Sequence, residues 1–214
     1  MSTVDFLGNA KDHSAGSSDL ARIGGPTFGY DGDAFVQCGV GTDYLAGSTS
    51  AQTITGTEVW IAPAIRGLTV GCWVRVDASP TTTGGLVTKW GIGGTRSYLL
   101  AWQTDNKALF GVTATGGAAT SIASGINMLD EWIFIVGRFT PSNEVAVFVD
   151  SAKFVNTTAV PASIFTGTSV FEVARLGALT SGILQASFRD AFLCAVALTD
   201  IQIENLRLSS LPTP

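Results

Sequence analysis

The sequence predicts an all-β fold: an antiparallel sandwich that forms one domain and carries one short C-terminal helix. Three observations lead to it. Apolar residues alternate with a period of two through most of the chain, and turn-forming residues sit at the joints between these runs. A helical signature stands out near the C-terminus alone.

The first strands are expected at Ala34–Cys38 and Glu58–Ala62. In Leu68–Asp77, residues Leu68, Val70, Cys72, Val74 and Val76 share one face, with Thr69, Trp73, Arg75 and Asp77 on the other. Further strands are expected at Gly85–Trp90, Arg96–Thr104 and Lys107–Ala114. Glu131–Thr140 is apolar on both faces at its start, as a buried central strand is. Glu144–Asp150 sets Val145, Val147 and Val149 against Ala146 and Phe148. Lys153–Asn156, Phe171–Leu176 and Ala186–Val196 complete the set, the last with Phe188, Phe192, Cys194 and Val196 on one side.

Asp105-Asn106, Pro141-Ser142-Asn143 and Asp150-Ser151 read as tight turns, because these residues tolerate positive φ or fix it. The Gly/Ser/Thr stretches 46–57, 79–85, 91–95 and 115–125 read as surface loops. Thr199 is a good helix N-cap and Gln202 completes a capping box. Asp200 and Glu204 lie near the positive end of the helix dipole and Arg207 near the negative end. Many strands and one late helix indicate a sandwich, not a parallel α/β sheet. The expected organisation is an extended N-terminal segment (1–27), the domain itself (28–210) and a short tail (211–214).

A chain of 214 residues with 46% hydrophobic content can fill one such core. Only 14% of residues are charged, against about a quarter in an average soluble domain, so small and polar residues must make up the surface. The net charge is −5, and the twelve basic residues are scattered with no two adjacent. Nucleic acid and anionic membrane surfaces need clustered Lys and Arg and are excluded as partners. Cys38, Cys72 and Cys194 are odd in number, widely spaced and form no CxxC, so they read as reduced, buried thiols. Met1–Gly8 has no basic and apolar leader pattern, and no apolar run approaches a membrane span. Synthesis in a reducing cytoplasm is expected.

Five segments resemble the laminin-G-like, concanavalin A-like superfamily, in that superfamily's order. They are Phe28-Gly29-Tyr30-Asp31-Gly32-Asp33 with Phe35-Val36, Leu68–Arg75 (LTVGCWVR), Glu131-Trp132-Ile133-Phe134, Val147-Phe148-Val149-Asp150, and Ala197–Ile203 (ALTDIQI). The resemblance covers roughly residues 28–208 and implies a jelly-roll sandwich. Two positions depart from the pattern: Ser151 stands where a turn glycine is usual, and Ile133-Phe134 where a polar pair is usual. Both suggest a more apolar member.

Glycosidases of this fold are expected to carry a Glu-x-Asp-x-x-Glu strand, which places two carboxylates on one face for acid/base or nucleophilic work. Glu131, Glu144, Glu172 and Glu204 each lack such a partner. His13, the one histidine, lies in a polar N-terminal segment, and no GxSxG motif is present, so a nucleophilic triad is not supported. Gly39–Gly41 and Gly91–Gly94 open no helix and make no phosphate cradle. Asp31, Asp33 and Asp43 are oxygen donors of the kind calcium uses, but turn chemistry accounts for them; neither metal nor cofactor is expected. Asn156-Thr157-Thr158 matches a glycosylation sequon.

The candidate carbohydrate contacts are Trp90, Arg96, Tyr98 and Trp102, on two consecutive strands with Tyr98 and Trp102 on one face; the competing reading places the aromatics in the core. The expected function is non-enzymatic: a structural or adhesive protein of a virus particle, most plausibly a phage. It would decorate capsid or tail as a homo-oligomer with other virion proteins, with possible grip on host-surface glycans. The alternative is a stand-alone carbohydrate-binding module, and the weakest reading is a glycosidase.

Overall fold

The computed structural model describes residues 2–4, 10–12, 21–24, 26–30, 34–38, 44–46, 67–125, 129–177 and 182–211. The strands are β1 (Ser2–Val4), β2 (Ala10–Asp12), β3 (Ala21–Ile23), β4 (Thr27–Tyr30), β5 (Ala34–Cys38), β6 (Tyr44–Ala46), β7 (Leu68–Arg75) and β8 (Gly84–Lys89). They continue as β9 (Tyr98–Trp102), β10 (Ala108–Val112), β11 (Thr120–Ala123), β12 (Ile133–Thr140), β13 (Glu144–Val149), β14 (Ala152–Asn156), β15 (Glu172–Val173) and β16 (Ala186–Cys194). The helix α1 spans Asp200–Ser209.

Two antiparallel sheets pack as a jelly-roll sandwich. One runs β11-β10-β9-β8-β15-β6-β3 and the other β14-β13-β12-β7-β16-β5-β4, with β1 and β2 as a separate hairpin beside β16. The central strands of the second sheet pair in long register, from Ile133↔Val74 to Phe139↔Leu68 and from Ile135↔Val149 to Thr140↔Glu144. Alternation decides what enters the space between the sheets. Leu68, Val70, Cys72 and Val74 of β7 share that core with Val145, Val147 and Val149 of β13 and with Leu100, Trp102 and Phe110 of the facing sheet. Gly137 is required at one close approach: a Cβ there would lie 2.1 Å from the Phe110 ring.

The other face of β7 is also buried, because α1 covers it. Trp73, Phe134, Val136, Ala146, Phe148 and Phe192 form a second cluster closed by Ile203 of the helix. Trp73 and Phe134 are 5.2 Å apart between ring centroids, and Trp73 Nε1 donates to Ser210 Oγ at 2.9 Å. The expected capping box is present: the Gln202 amide donates to Thr199 Oγ1, and Gln202 Oε1 accepts from the Thr199 amide at 2.9 Å. Arg138, buried on β12, donates to Leu198 O at 2.7 Å, to Asp200 Oδ1 at 2.5 Å and to Glu144, while Lys153 reaches Glu144 and Asp200 at 3.3 Å each.

Several expectations need correction. Thr120–Ala123, expected inside a surface loop, is the edge strand β11; an edge needs only one apolar side, and Ile122 supplies it. The run expected over Phe171–Leu176 shortens to β15, since Ala174 takes φ 70° and leaves the ladder. Within residues 1–27, expected to be partly extended, β3 pairs with β6. The turns behave as their residues require: Asn106, Ser142 and Asp150 have φ of 58°, 56° and 49°. Cys38 and Cys72 are buried and Cys194 is partly buried, none of them in a disulfide among the described residues, and burial pushes the Cys72 thiol far up. The strand expected at Glu58–Ala62, most of the loop 46–57, and His13, Asp31, Asp33 and Asp43 lie outside the described residues. Among the described residues, no helix is long and apolar enough to cross a membrane.

Candidate ligand-binding groove

The four candidate residues separate into two pairs. Tyr98 and Trp102 are 2% and 0% exposed and belong to the inter-sheet core. They do share one face, but that face points inward, so the expectation that they contact sugar is corrected. Burial alone drives the Tyr98 phenol far upward, and Trp102 Nε1 donates to Asn106 Oδ1 at 3.3 Å. Trp90 and Arg96 meet on the outer side of the sheet. The Arg96 guanidinium lies 5.1 Å from the Trp90 ring centroid, and its Nε donates to Gly91 O at 3.3 Å. Trp90 is itself 8% exposed, packed with Leu99, Ala101 and Leu176, so it forms a wall and offers no open stacking face.

That pair borders a groove of about 340 Å³. It is lined by Trp90, Gly91, Ile92 and Thr95 on one side and by Thr168, Ser169, Val170, Glu172 and Arg175 on the other. The first side is the end of β8 and the loop after it. The second is the irregular chain around β15. Two hydrogen bonds tie them: Lys89 Nζ donates to Ser169 O at 3.0 Å, and Thr88 Oγ1 donates to Arg175 O at 2.8 Å. Ser169 Oγ donates across the groove to Thr95 O at 2.7 Å. Gly177 permits this approach, since it takes φ +62° and a Cβ there would sit 1.9 Å from Trp90 O. Ile92, at 67% exposure, stands on the rim.

Glu172 is the unusual member. Val173 enters the core, so alternation turns Glu172 to the outer face beside Thr88, its register partner. It is 2% exposed. Oε1 accepts from Arg175 Nη1 at 3.0 Å, whereas Oε2 is buried with no hydrogen-bond partner among the described residues. Burial raises its pKa above the ordinary carboxylate range, against the opposing pull of the Arg175 charge, its hydrogen bond and the Gly177 amide. A carboxylate oxygen in that state is an acceptor awaiting a donor. Ser169, Glu172 and Arg175 were not among the sequence candidates. The available signal was a charged residue inside the apolar run FEVARL with an arginine three positions on.

Among the described residues, no three His, Cys, Asp or Glu side chains cluster to hold a metal. The groove lining holds one carboxylate, whereas glycoside hydrolysis in this geometry uses two.

The family model of the concanavalin A-like lectin/glucanases superfamily (a laminin-G type) matches residues 39–203. The chain belongs to this superfamily. Among solved structures it is similar to the binding domain of Paraclostridial Mosquitocidal Protein 1, with a TM-score of 0.74, 13% identity and 97% of this chain matched to 51% of that one. It is likewise similar to the binding domain of botulinum neurotoxin DC in complex with rat synaptotagmin II, at TM-score 0.76 and 10% identity, over 98% of this chain and 51% of that one. The same toxin's binding domain in complex with SialylT gives 0.72 and 10%, over 98% and 50%. The chain thus spans about half the length of these structures, and at such identities the shared property is the fold. No protein of curated function matches the chain in sequence.

Proposed function

We propose that the chain is a non-catalytic, lectin-like adhesion domain that binds a glycan in the Trp90–Glu172 groove and is displayed on a virus particle. One observation carries the binding part: a groove of about 340 Å³ whose lining includes Glu172, with Oε2 buried and lacking a partner among the described residues. A sugar hydroxyl supplies the donor that this oxygen lacks, and Ile92 on the rim supplies apolar contact for a sugar's C–H face. The single carboxylate in the lining supports binding over hydrolysis. Fold-level likeness to toxin binding domains, two of them in complex with a protein and with SialylT, supports a recognition role as analogy.

Display on a particle rests on the charge-poor, small-residue surface and on the edge strands β11 and β14, which offer ladders to further copies or to other virion proteins. Two measurements test the proposal. Wild type should bind members of a glycan panel, and Ile92→Asp or Arg96→Ala should weaken that binding at least tenfold with the fold intact. Unchanged binding by both variants removes the groove from the reading. Mass spectrometry of density-purified particles should find the chain in many copies, and its absence there ends the virion reading.

A further inference from the structure

The helix α1 carries apolar side chains on two opposite sides. Ile203 and Leu206 face down onto the β7 sheet, where Ile203 is 1% exposed. Ile201 and Leu208, exposed by 73% and 51%, are seven residues apart, so they share one line on the other side, about 10 Å apart along the axis. Leu211, 49% exposed, follows just past the end of the helix. Ile201 is the most exposed large hydrophobic side chain among the described residues. Because α1 lies on top of its sheet, this line forms the crest of a ridge.

The flanks of the crest decide what fits it. One flank carries Glu204 and Arg207, joined by hydrogen bonds of 2.9 and 2.7 Å. The other carries Gln202, Asn205 and Ser209, all neutral and exposed. When two helices pack antiparallel, like flanks face each other in reversed order. A second α1 laid antiparallel therefore sets Ile201 on the partner's Leu208 and Leu208 on the partner's Ile201. Each Glu204 then comes to the partner's Arg207, and neutral side chains meet along the other flank. A parallel pair would set each Glu204–Arg207 flank against a neutral one.

We infer that the crest of α1 is a self-association surface, on which a second copy of this chain docks antiparallel about a two-fold axis. A helix of 10 residues covers less than the ~800 Å² per partner of a standard interface, so the pairing is weak, with a Kd of about 100 µM. Display of many copies on one surface strengthens it. The groove at Trp90 and Glu172 lies on the other sheet, so pairing through α1 leaves both grooves open.

Sedimentation velocity of the whole chain from about 10 µM to about 1 mM tests the inference. Wild type should pass from monomer to dimer across that range. Ile201→Lys and Leu208→Glu each put a charge into both crest contacts of the dimer, so each variant alone should stay monomeric. Both positions are exposed, and circular dichroism should show the fold unchanged. Mixed in equal amounts, the two variants should dimerise again. The antiparallel register sets the new ammonium against the new carboxylate and leaves the other Ile201–Leu208 contact intact. A wild-type chain that stays monomeric at the highest concentration overturns the inference. So does a dimer that either single variant leaves in place, or a mixture of folded variants that stays monomeric.

Discussion

On the outer face of the β7 sheet, the buried cation Arg138 donates to the Leu198 carbonyl, to Glu144 and to Asp200 at the start of α1, while its Nε has no partner among the described residues. On the outer face of the β8 sheet, the buried anion Glu172 has one side-chain counter-charge, Arg175, with the Gly177 amide beside it, and its Oε2 has no partner among the described residues. Both faces have an apolar patch beneath the charge, Trp73, Phe134 and Phe192 in one case, Trp90, Leu99 and Leu176 in the other. The difference lies in what covers them. A helix docked by Ile203 covers the first patch and supplies one counter-charge, Asp200, with a cleft of about 440 Å³ beside it lined by Phe148, Lys153, Asp200 and Glu204. The second is bordered by a smaller groove with no helix over it, and its buried charge has one side-chain counter-charge. Arg138 is thus shared between two carboxylates and a carbonyl, whereas Glu172 has one guanidinium and an amide, and the smaller groove beside it leaves room for a further partner.

The largest effect should come from the sealed face. Phe134→Ala removes a fully buried ring from under α1 and should cost about 3–5 kcal/mol. Leu99→Ala on the open face should cost about 2–3 kcal/mol, the low part of the range for buried leucine, because the groove lets its surroundings relax. Urea unfolding of both variants settles the order, and equal costs would mean that the two faces are packed alike.

Next in size is the charge itself. Arg138→Met leaves the mostly buried Glu144 with Lys153 alone, at 3.3 Å, and should destabilise by about 2–3 kcal/mol. Glu172→Gln should change stability by at most about 1 kcal/mol, since the amide keeps the shape and an oxygen toward Arg175 while losing the desolvation cost of the charge. A larger loss for Glu172→Gln than for Arg138→Met would show that Glu172 is a structural anchor, and the groove would lose its reason.

The sealed face was the more legible of the two in the sequence. The period-two pattern of Leu68–Arg75 and the capping box at Thr199 and Gln202 are local signals, and both appear in the structure where expected. Burial of the second face of β7 was not legible, because it depends on α1 returning over a strand more than a hundred residues earlier. The groove was half legible. Trp90 stands on its wall with Arg96 against its ring, but Tyr98 and Trp102 went inward, since strand alternation says which residues share a face and not which face is the core. Glu172 was passed over because it was weighed only as half of a catalytic pair. Its environment comes from the chain returning at Arg175 and from Thr88 one strand away, neither of which spacing reveals.

A smaller effect tests how firmly α1 is held. Thr199→Ala removes the side-chain half of the capping box and should cost about 1 kcal/mol. If the helix only rests on a face that is complete without it, near-ultraviolet dichroism of Trp73 will not change. If α1 seals the face as described, the Trp73 signal should weaken together with the stability.

The finest test uses pH, because the two faces hold carboxylates that titrate in opposite directions. Burial raises Glu172, so the folded chain holds that proton more tightly than the unfolded one. Its contribution to stability is therefore greatest below the ordinary value of about 4.3 and declines as pH rises through the raised pKa. For Asp200, burial pushes upward, but the hydrogen bond and charge of Arg138, together with Lys153, outweigh it and hold the carboxyl below its usual range. Its contribution is present above about 3.9 and is lost as pH falls through the depressed pKa. Asp200 is largely exposed, so its share should be only a few tenths of a kcal/mol. Relative to wild type, Glu172→Gln should gain stability on going from pH 4 to 7, whereas Asp200→Asn should lose a little by pH 5 and stay level above it. Thermal unfolding of the three proteins across that range measures both slopes. Slopes of the same sign would mean that the charge on the groove side is as well answered as the one beneath the helix.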